Sequence, residues 1–242
     1  MMFKNKDVFI FDLDGTLIDS LGMWNEVDRL LITFLGGDPL EEHARQVRRE
    51  TILSEAKADP DPYLVYCGVL KEVCKSELSP AEIKKKRYEI SASFLRNTVS
   101  LKPDAAEVLH LLKQMGKTLV LASSTSRANV NIYSTENPGI YEKAYFPDLF
   151  SLIYTRDDVA QIKPSPEVYG KVLKTLGVPA QRCVAFEDSL AGVQSAKDAG
   201  LDTVCMHDTY SEPDEELLKE MSSAYFDSFS ALKSALTDAF HA

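Results

Sequence analysis

Short apolar runs that alternate with helical patterns constrain the fold of this 242-residue chain more than any other feature. The runs are rich in Val, Ile, Leu and Phe and do not alternate strictly with polar residues, as is typical of parallel strands buried on both faces. Strands are predicted at Val8–Asp12, Thr118–Ala122, Leu152–Tyr154, Cys183–Phe186 and Thr203–Met206, with helices near Asp104–Met115, Pro166–Leu176 and Ala191–Ala199. This alternation predicts an α/β fold with a Rossmann-like doubly wound parallel sheet.

One stretch, residues 18–98, interrupts the alternation. It contains no convincing strand, and apolar residues such as Trp24, Val27, Leu31 and Phe34 recur at helical spacing. Gly- and Pro-rich breaks divide it into about four helices. We therefore expect an all-helical cap domain at 18–98, inserted into a core domain of residues 1–17 and 99–242. In the tail, we expect a short strand at Ala224–Phe226 and a closing helix.

Composition limits the partners and the compartment. The formal net charge is −10, which disfavours nucleic acid and anionic lipid as partners. The four cysteines form no C-x-x-C pair, so we interpret them as reduced core residues of a cytoplasmic protein. No apolar run is long enough to span a membrane, and no signal-peptide pattern is recognisable. A monomer is our default expectation.

Polar residues follow three of the predicted strands at the point where each strand ends. Ligands of open α/β sheets bind beyond the carboxyl ends of the strands, so these side chains are expected to converge at one edge. The residues are Asp12 and Asp14 after the first strand, Ser123 and Ser124 after the second, and Glu187 and Asp188 after Cys183–Phe186.

This set of side chains suits phosphate chemistry. Carboxylate oxygens from Asp12, Glu187 and Asp188 are ligands that Mg²⁺ prefers, and three carboxylates close together would repel one another without a cation. Lys163, in a loop, and the Ser123 hydroxyl could bind a phosphate group. Asp12 lies closest to its strand and is the natural nucleophile, whereas Asp14 could serve as general acid and base.

Four motifs resemble the haloacid dehalogenase superfamily, in particular its phosphatases and phosphomutases with a helical cap. They begin at Phe11, Leu121, Lys163 and Phe186 and read FDLDGTL, LASS, KPSP and FEDSLAG. The resemblance implies an aspartyl-phosphate formed on Asp12, with Asp14 as acid and base. It further implies phosphate ligands Ser123 and Lys163, and Mg²⁺ held by Asp12, the Asp14 backbone carbonyl, Glu187 and Asp188. We expect Ser124, which follows Ser123, to bind the phosphate group as well.

Other interpretations of these residues are weaker. The D-x-D-G run fails as an EF-hand because Met23 stands where the bidentate Glu belongs. The basic run Lys84–Arg87 is interpreted as a solvated helix face. A Mg²⁺-dependent phosphatase of a small phosphorylated metabolite, most simply a sugar phosphate, is the main hypothesis. The alternative is a β-phosphoglucomutase-like phosphomutase, disfavoured because Trp24 replaces the histidine of those enzymes. A non-catalytic binding module is disfavoured because every motif residue is present.

Overall fold

The computed structural model, which describes residues 2–56 and 59–241, divides into two compact units. One unit runs to Ser20 and resumes at Val99, and the other comprises Leu21–Thr98. The first unit extends to Ser20 rather than ending at residue 17, because Ile18–Asp19 pairs antiparallel with Ser100–Leu101. The expectation of no strand after residue 17 was therefore wrong for Ile18 and Asp19, which two residues of sequence could not have revealed.

The first unit contains a six-stranded sheet whose described pairs are all parallel, in the order β5-β4-β1-β6-β7-β8, and the two-stranded ladder β2-β3. Its strands are β1 (Val8–Phe11), β2 (Ile18–Asp19), β3 (Ser100–Leu101), β4 (Thr118–Ala122), β5 (Leu152–Tyr154), β6 (Cys183–Glu187), β7 (Asp202–Met206) and β8 (Ala224–Phe226). Its helices are α5 (Ala105–Gln114), α6 (Arg127–Thr135), α7 (Pro138–Tyr141), α8 (Phe146–Leu149), α9 (Glu167–Leu176), α10 (Leu190–Asp198), α11 (Glu215–Met221) and α12 (Phe229–His241).

Strand β1 is buried on both faces, as its apolar run predicts. Val8 and Ile10 pack in a core cluster with residues of α9, including Val168 and Val172. On the opposite face Phe11 stacks on Phe186 of β6, with ring centroids 4.4 Å apart. Because β1 lies between β4 and β6, its carboxyl end is flanked by the ends of both neighbouring strands.

The sequence predicted the strands of this sheet well and the helices between β4 and β5 not at all. Thr118–Ala122, Leu152–Tyr154 and Ala224–Phe226 match their predicted bounds, and the other predicted strands differ by one residue at an end. Helices α6, α7 and α8 lack long apolar periodicity. Two of them are single turns with a proline at the first or second position.

Among its described residues, 21–56 and 59–98, the second unit contains helices and no strand, as the sequence predicts. Its helices are α1 (Leu21–Phe34), α2 (Glu42–Glu55), α3 (Pro62–Cys74) and α4 (Pro80–Asn97). Ser79 and Glu82 form a capping box at the start of α4, each side chain accepting from the other residue's backbone N–H. Leu31, Tyr66, Leu70 and Ile83 belong to one buried cluster, so three helices share a core.

The basic run in α4 is not a uniformly solvated face. Arg87 is only 3% exposed and pairs with Asp28 of α1, whose side chain is fully buried. Asp28 also pairs with Arg49 of α2. The solvated-face interpretation was therefore wrong for Arg87, because a charge run in sequence does not show which member turns toward a buried acid.

Candidate active site

Asp12 lies directly after β1, where the sheet ladder ends. Its backbone N–H donates to the Phe186 carbonyl at 2.9 Å, which fixes the backbone of Asp12 beside β6. The side chain is buried. The chain then turns at Gly15, whose φ of 87° is a conformation that residues with a Cβ rarely adopt. The second carboxylate, Asp14, directly precedes this glycine.

A cluster of three carboxylates forms where β1 and β6 end. Asp12, Glu187 and Asp188 are all buried, and each offers an oxygen within 4.8 Å of the other two. Thr16 donates its hydroxyl to Asp188 Oδ1 at 2.7 Å. Three buried carboxylate oxygens so close together are the donor set of a hard divalent cation, so these residues could hold Mg²⁺.

Lys163 joins this cluster from the loop before α9. Its ammonium lies 2.5 Å from Asp12 Oδ1 and 2.7 Å from Glu187 Oε1, and it donates to the Ala122 carbonyl at 2.8 Å. Tyr169 of α9 donates its hydroxyl to Glu187, and its ring centroid lies 5.4 Å from the Lys163 ammonium. Lys163 therefore pairs with two of the three acidic side chains, and its single positive charge leaves the cluster with an excess of negative charge.

The electrostatics reflect this excess. Burial raises the pKa of Asp12 and of Glu187 above the ordinary values, although the Lys163 ammonium opposes the rise at both. Burial and the charges of Asp12 and Glu187 raise the pKa of Asp188 strongly. Burial alone would lower the pKa of Lys163, but Asp12 and Glu187 raise it above its ordinary value. The carboxylates thus favour a bound proton or cation.

Asp14 has a different set of neighbours. Its Oδ1 accepts hydrogen bonds from Ser20 Oγ at 2.6 Å and from Tyr133 Oη at 2.9 Å. Burial raises its pKa, the Ser20 hydroxyl lowers it, and the Asp12 charge raises it again. Asp12 and Asp14 therefore differ in environment, since one contacts an ammonium and the other contacts hydroxyl groups.

Ser123 and Ser124 follow β4, the strand adjacent to β1. Ser123 is buried and its hydroxyl accepts the Thr125 backbone N–H at 3.1 Å, while Ser124 is partly buried. In the described part of the chain no hydrogen bond joins either serine to the carboxylate cluster. The structure thus brings Asp12, Glu187, Asp188 and Lys163 into one cluster and leaves the two serines outside it, after the end of the neighbouring strand β4.

Several residues around the site were not singled out from the sequence. Thr16 belongs to the first motif, but Tyr133 and Tyr169 lie in helices at ordinary apolar positions, where a tyrosine carries no special signal. Lys102 donates to Asp208 at 2.8 Å, and the charge of Asp208 contributes to the raised pKa of Asp188. Only the spatial proximity of distant segments reveals these contacts.

A family model for haloacid dehalogenase-like hydrolases matches residues 6–200. The chain belongs to this family. The match spans β1 through α10 and so includes Asp12, Lys163 and the acidic pair after β6. This hydrolase is therefore an enzyme with the fold that its motifs predicted.

Known proteins support the same assignment. Protein CbbY of Rhodobacter capsulatus is 34% identical over 225 residues, covering 85% of this chain and 87% of that protein. A phosphorylated carbohydrates phosphatase of Thermotoga maritima is 27% identical over 201 residues, covering 82% and 83%. The crystal structure of a CbbY mutant from Rhodobacter sphaeroides in complex with xylulose-(1,5)bisphosphate has a TM-score of 0.72 at 25% identity, covering 93% and 95%.

No helix in the described ranges, 2–56 and 59–241, is long and apolar enough to cross a membrane.

Proposed function

We propose that this hydrolase is a Mg²⁺-dependent phosphatase of a phosphorylated sugar and that it works through an aspartyl-phosphate on Asp12. The cluster at the end of β1 carries the proposal. A buried aspartate lies 2.5 Å from a lysine ammonium and shares a donor set with Glu187 and Asp188. Such a site combines a nucleophile with positive charge for a phosphate group.

Asp12 and Asp14 have different roles in the proposed reaction, one as the nucleophile and the other as the proton donor and acceptor. A carboxylate oxygen of Asp12 forms a bond to phosphorus while the bond between phosphorus and the sugar oxygen breaks. Asp14 donates a proton to that leaving oxygen. Water then attacks the phosphorus of the aspartyl-phosphate, Asp14 takes the proton of the water, and Asp12 is regenerated as phosphate leaves.

The remaining residues bind and neutralise charge. Lys163, Ser123 and Ser124 bind the phosphate oxygens, and Lys163 also pairs with Asp12. Mg²⁺, when bound, neutralises charge on the transferring phosphate. Asp12, Glu187, Asp188 and the Asp14 backbone carbonyl would hold it. The fit is supported by three clustered carboxylates, two of which share the single ammonium group of Lys163.

The substrate class is inferred from the relatives. One is a phosphatase of phosphorylated carbohydrates and another binds xylulose-(1,5)bisphosphate. These two names support a phosphorylated sugar as the substrate.

An exchange of one carboxylate tests the mechanism. Asp12→Asn removes the nucleophile and should reduce Mg²⁺-dependent hydrolysis of aryl phosphates and sugar phosphates to background. Asp7→Asn is the matched control, since Asp7 precedes the same strand and forms an exposed ion pair with Arg182. Hydrolysis retained by folded Asp12→Asn protein would contradict the proposed nucleophile.

The same assay separates a phosphatase from a phosphomutase. With β-glucose 1-phosphate as substrate, a phosphatase releases free phosphate, whereas a mutase forms glucose 6-phosphate without stoichiometric release. We expect phosphate release to dominate across a panel of sugar phosphates. Conversion to glucose 6-phosphate without released phosphate would replace the proposal by the mutase alternative.

A further inference from the structure

Two hydroxyl groups from different elements meet at one oxygen of Asp14. Tyr133 of α6 and Ser20, which follows β2, both donate to Oδ1, at 2.9 Å and 2.6 Å. The Tyr133 side chain is fully buried. A buried hydroxyl group is costly without a hydrogen-bond partner, and Asp14 supplies that partner.

The geometry determines where Asp14 can carry a proton. A carboxylate oxygen has two lone pairs, and the two hydroxyl donors occupy both lone pairs of Oδ1. While both hydroxyls donate to Oδ1, Oδ2 is the oxygen of Asp14 that is left to carry a proton. A general acid needs its proton on one defined oxygen, because that oxygen has to lie within hydrogen-bond reach of the leaving oxygen.

Tyr133 also connects two segments of the site. Helix α6 begins after the Ser123–Ser126 loop, and the Ser126 side chain caps its first turn by accepting the Asn129 N–H at 3.2 Å. The hydrogen bond from Tyr133 to Asp14 therefore ties the helix behind the proposed phosphate-binding loop to the turn after β1. A phenylalanine would fill the same space without this connection.

We propose that Tyr133 is a positioning residue that keeps Oδ1 of Asp14 occupied and so presents Oδ2 as the proton-donating oxygen. This inference rests on the proposed function, in which Asp14 protonates the leaving group. It predicts that loss of the Tyr133 hydroxyl impairs the enzyme most where the leaving group depends on that proton.

The test is a comparison of two leaving groups in the Tyr133→Phe variant. Phenyl phosphate releases phenol, whose pKa is about 10, and needs protonation of the leaving oxygen. 4-Nitrophenyl phosphate releases an anion that needs none. We measure kcat/KM, which reports on phosphoryl transfer and excludes the later hydrolysis of the aspartyl-phosphate. Tyr133→Phe should lower kcat/KM about tenfold for phenyl phosphate and less than about twofold for 4-nitrophenyl phosphate.

Tyr169→Phe is the matched control. It removes an equally buried hydroxyl that donates to Glu187 instead of Asp14. Because Glu187 does not protonate the leaving group, the control should lower kcat/KM by the same factor for both substrates. Ser20→Ala removes the other donor to Oδ1 and should repeat the selective loss. It decides the question if Tyr133→Phe fails to fold.

Each outcome is decisive. The positioning role is overturned if folded Tyr133→Phe loses kcat/KM equally on both substrates or loses none. If Tyr133→Phe does not fold, the same result in Ser20→Ala overturns it. Asp14→Asn separates this from failure of the proposed function, because it should show the same selectivity more strongly. If Asp14→Asn is equally impaired on both substrates, the proposed acid is wrong. A wild-type enzyme that hydrolyses neither substrate contradicts the proposed function itself.

Discussion

The carboxylate of Glu187 occupies space that a side chain at position 192 would fill. A Cβ atom built on Gly192 would lie 1.9 Å from Glu187 Oε2 and 2.9 Å from Oε1. Gly192 does not have a positive φ, so a special backbone conformation is not the reason for glycine at this position. It leaves room for the acid that pairs with Lys163 and receives the Tyr169 hydroxyl.

Gly192→Ala should displace Glu187 and disrupt the carboxylate cluster. We expect activity to fall by about 10²-fold, since displacement of a catalytic group by about 1 Å has an effect of that size. The Mg²⁺ concentration for half-maximal activity should rise. Both are measured by steady-state kinetics over a Mg²⁺ titration.

Gly170→Ala is the control for this substitution. Gly170 lies within helix α9, and no atom lies within 4 Å of a Cβ built on it. Alanine there should leave activity unchanged and stabilise the protein by about 0.4–1 kcal/mol. Full activity in Gly192→Ala would show that Glu187 can shift without loss of function. It would contradict the claim that position 192 must leave room for the Glu187 carboxylate.

Three helices of the second unit are held together by one buried acid. The Asp28 carboxylate of α1 accepts hydrogen bonds from Arg87 of α4 at 2.8 Å and from Arg49 of α2 at 3.0 Å. The Arg87 guanidinium also lies 4.9 Å from the Trp24 ring and 4.8 Å from the Tyr63 ring. The charged contacts, together with the apolar cluster, specify how these helices pack.

Asp28→Asn should destabilise the helical unit by about 3–5 kcal/mol, because it leaves a buried guanidinium without its counter-charge. Urea unfolding followed by the fluorescence of Trp24, the single tryptophan of the chain, measures this. Glu26→Gln on the same helix breaks the exposed pair with Arg29 and should cost less than about 1 kcal/mol. Equal unfolding midpoints for the two variants would contradict the role given to Asp28.

The elements also show what sequence reasoning could reach. Apolar runs predicted the strands because burial on both faces leaves a direct compositional signal. The predicted strands in turn placed Asp12 and Glu187 at strand ends and Lys163 in a loop. Tyr133, Ser20 and the pairing of Arg87 with Asp28 were not predictable. Their roles depend on contacts between segments far apart in sequence, and the residue types are ordinary at those positions.

The buried carboxylates give the whole molecule a pH-dependent stability. The pKa values of Asp12, Glu187 and Asp188 are raised above the ordinary values of 3.8 for Asp and 4.5 for Glu. At a pH above those ordinary values, the folded chain therefore binds more protons than the unfolded chain. The free energy of unfolding must fall as pH rises through this window.

Without divalent cations, the melting temperature should thus be higher at pH 5.5 than at pH 7.5. Carboxylates with lowered pKa, such as Glu82 and Glu167, lose their contribution only below about pH 4.5 and do not act in this window. Calorimetry at the two pH values measures the effect. A melting temperature that increases between pH 5.5 and pH 7.5 would contradict it.

Mg²⁺ should reverse this pH dependence, because it binds deprotonated carboxylates. The rise in melting temperature on addition of Mg²⁺ should be larger at pH 7.5 than at pH 5.5. Asp188→Asn should remove most of the rise, and Asp7→Asn should retain it. Retention of the full rise in Asp188→Asn would place the cation elsewhere.

The position of β1 in the sheet has a consequence for biosynthesis. Its neighbours β4 and β6 begin at Thr118 and Cys183, so a ribosome completes the helical unit long before β1 can pair. Until then Val8–Phe11 is an apolar segment with unpaired backbone groups on a nascent chain, and such segments are prone to aggregate. The strand that precedes the proposed nucleophile is thus synthesised first among the sheet strands and acquires both of its neighbours only after Cys183 and the rest of β6 have emerged.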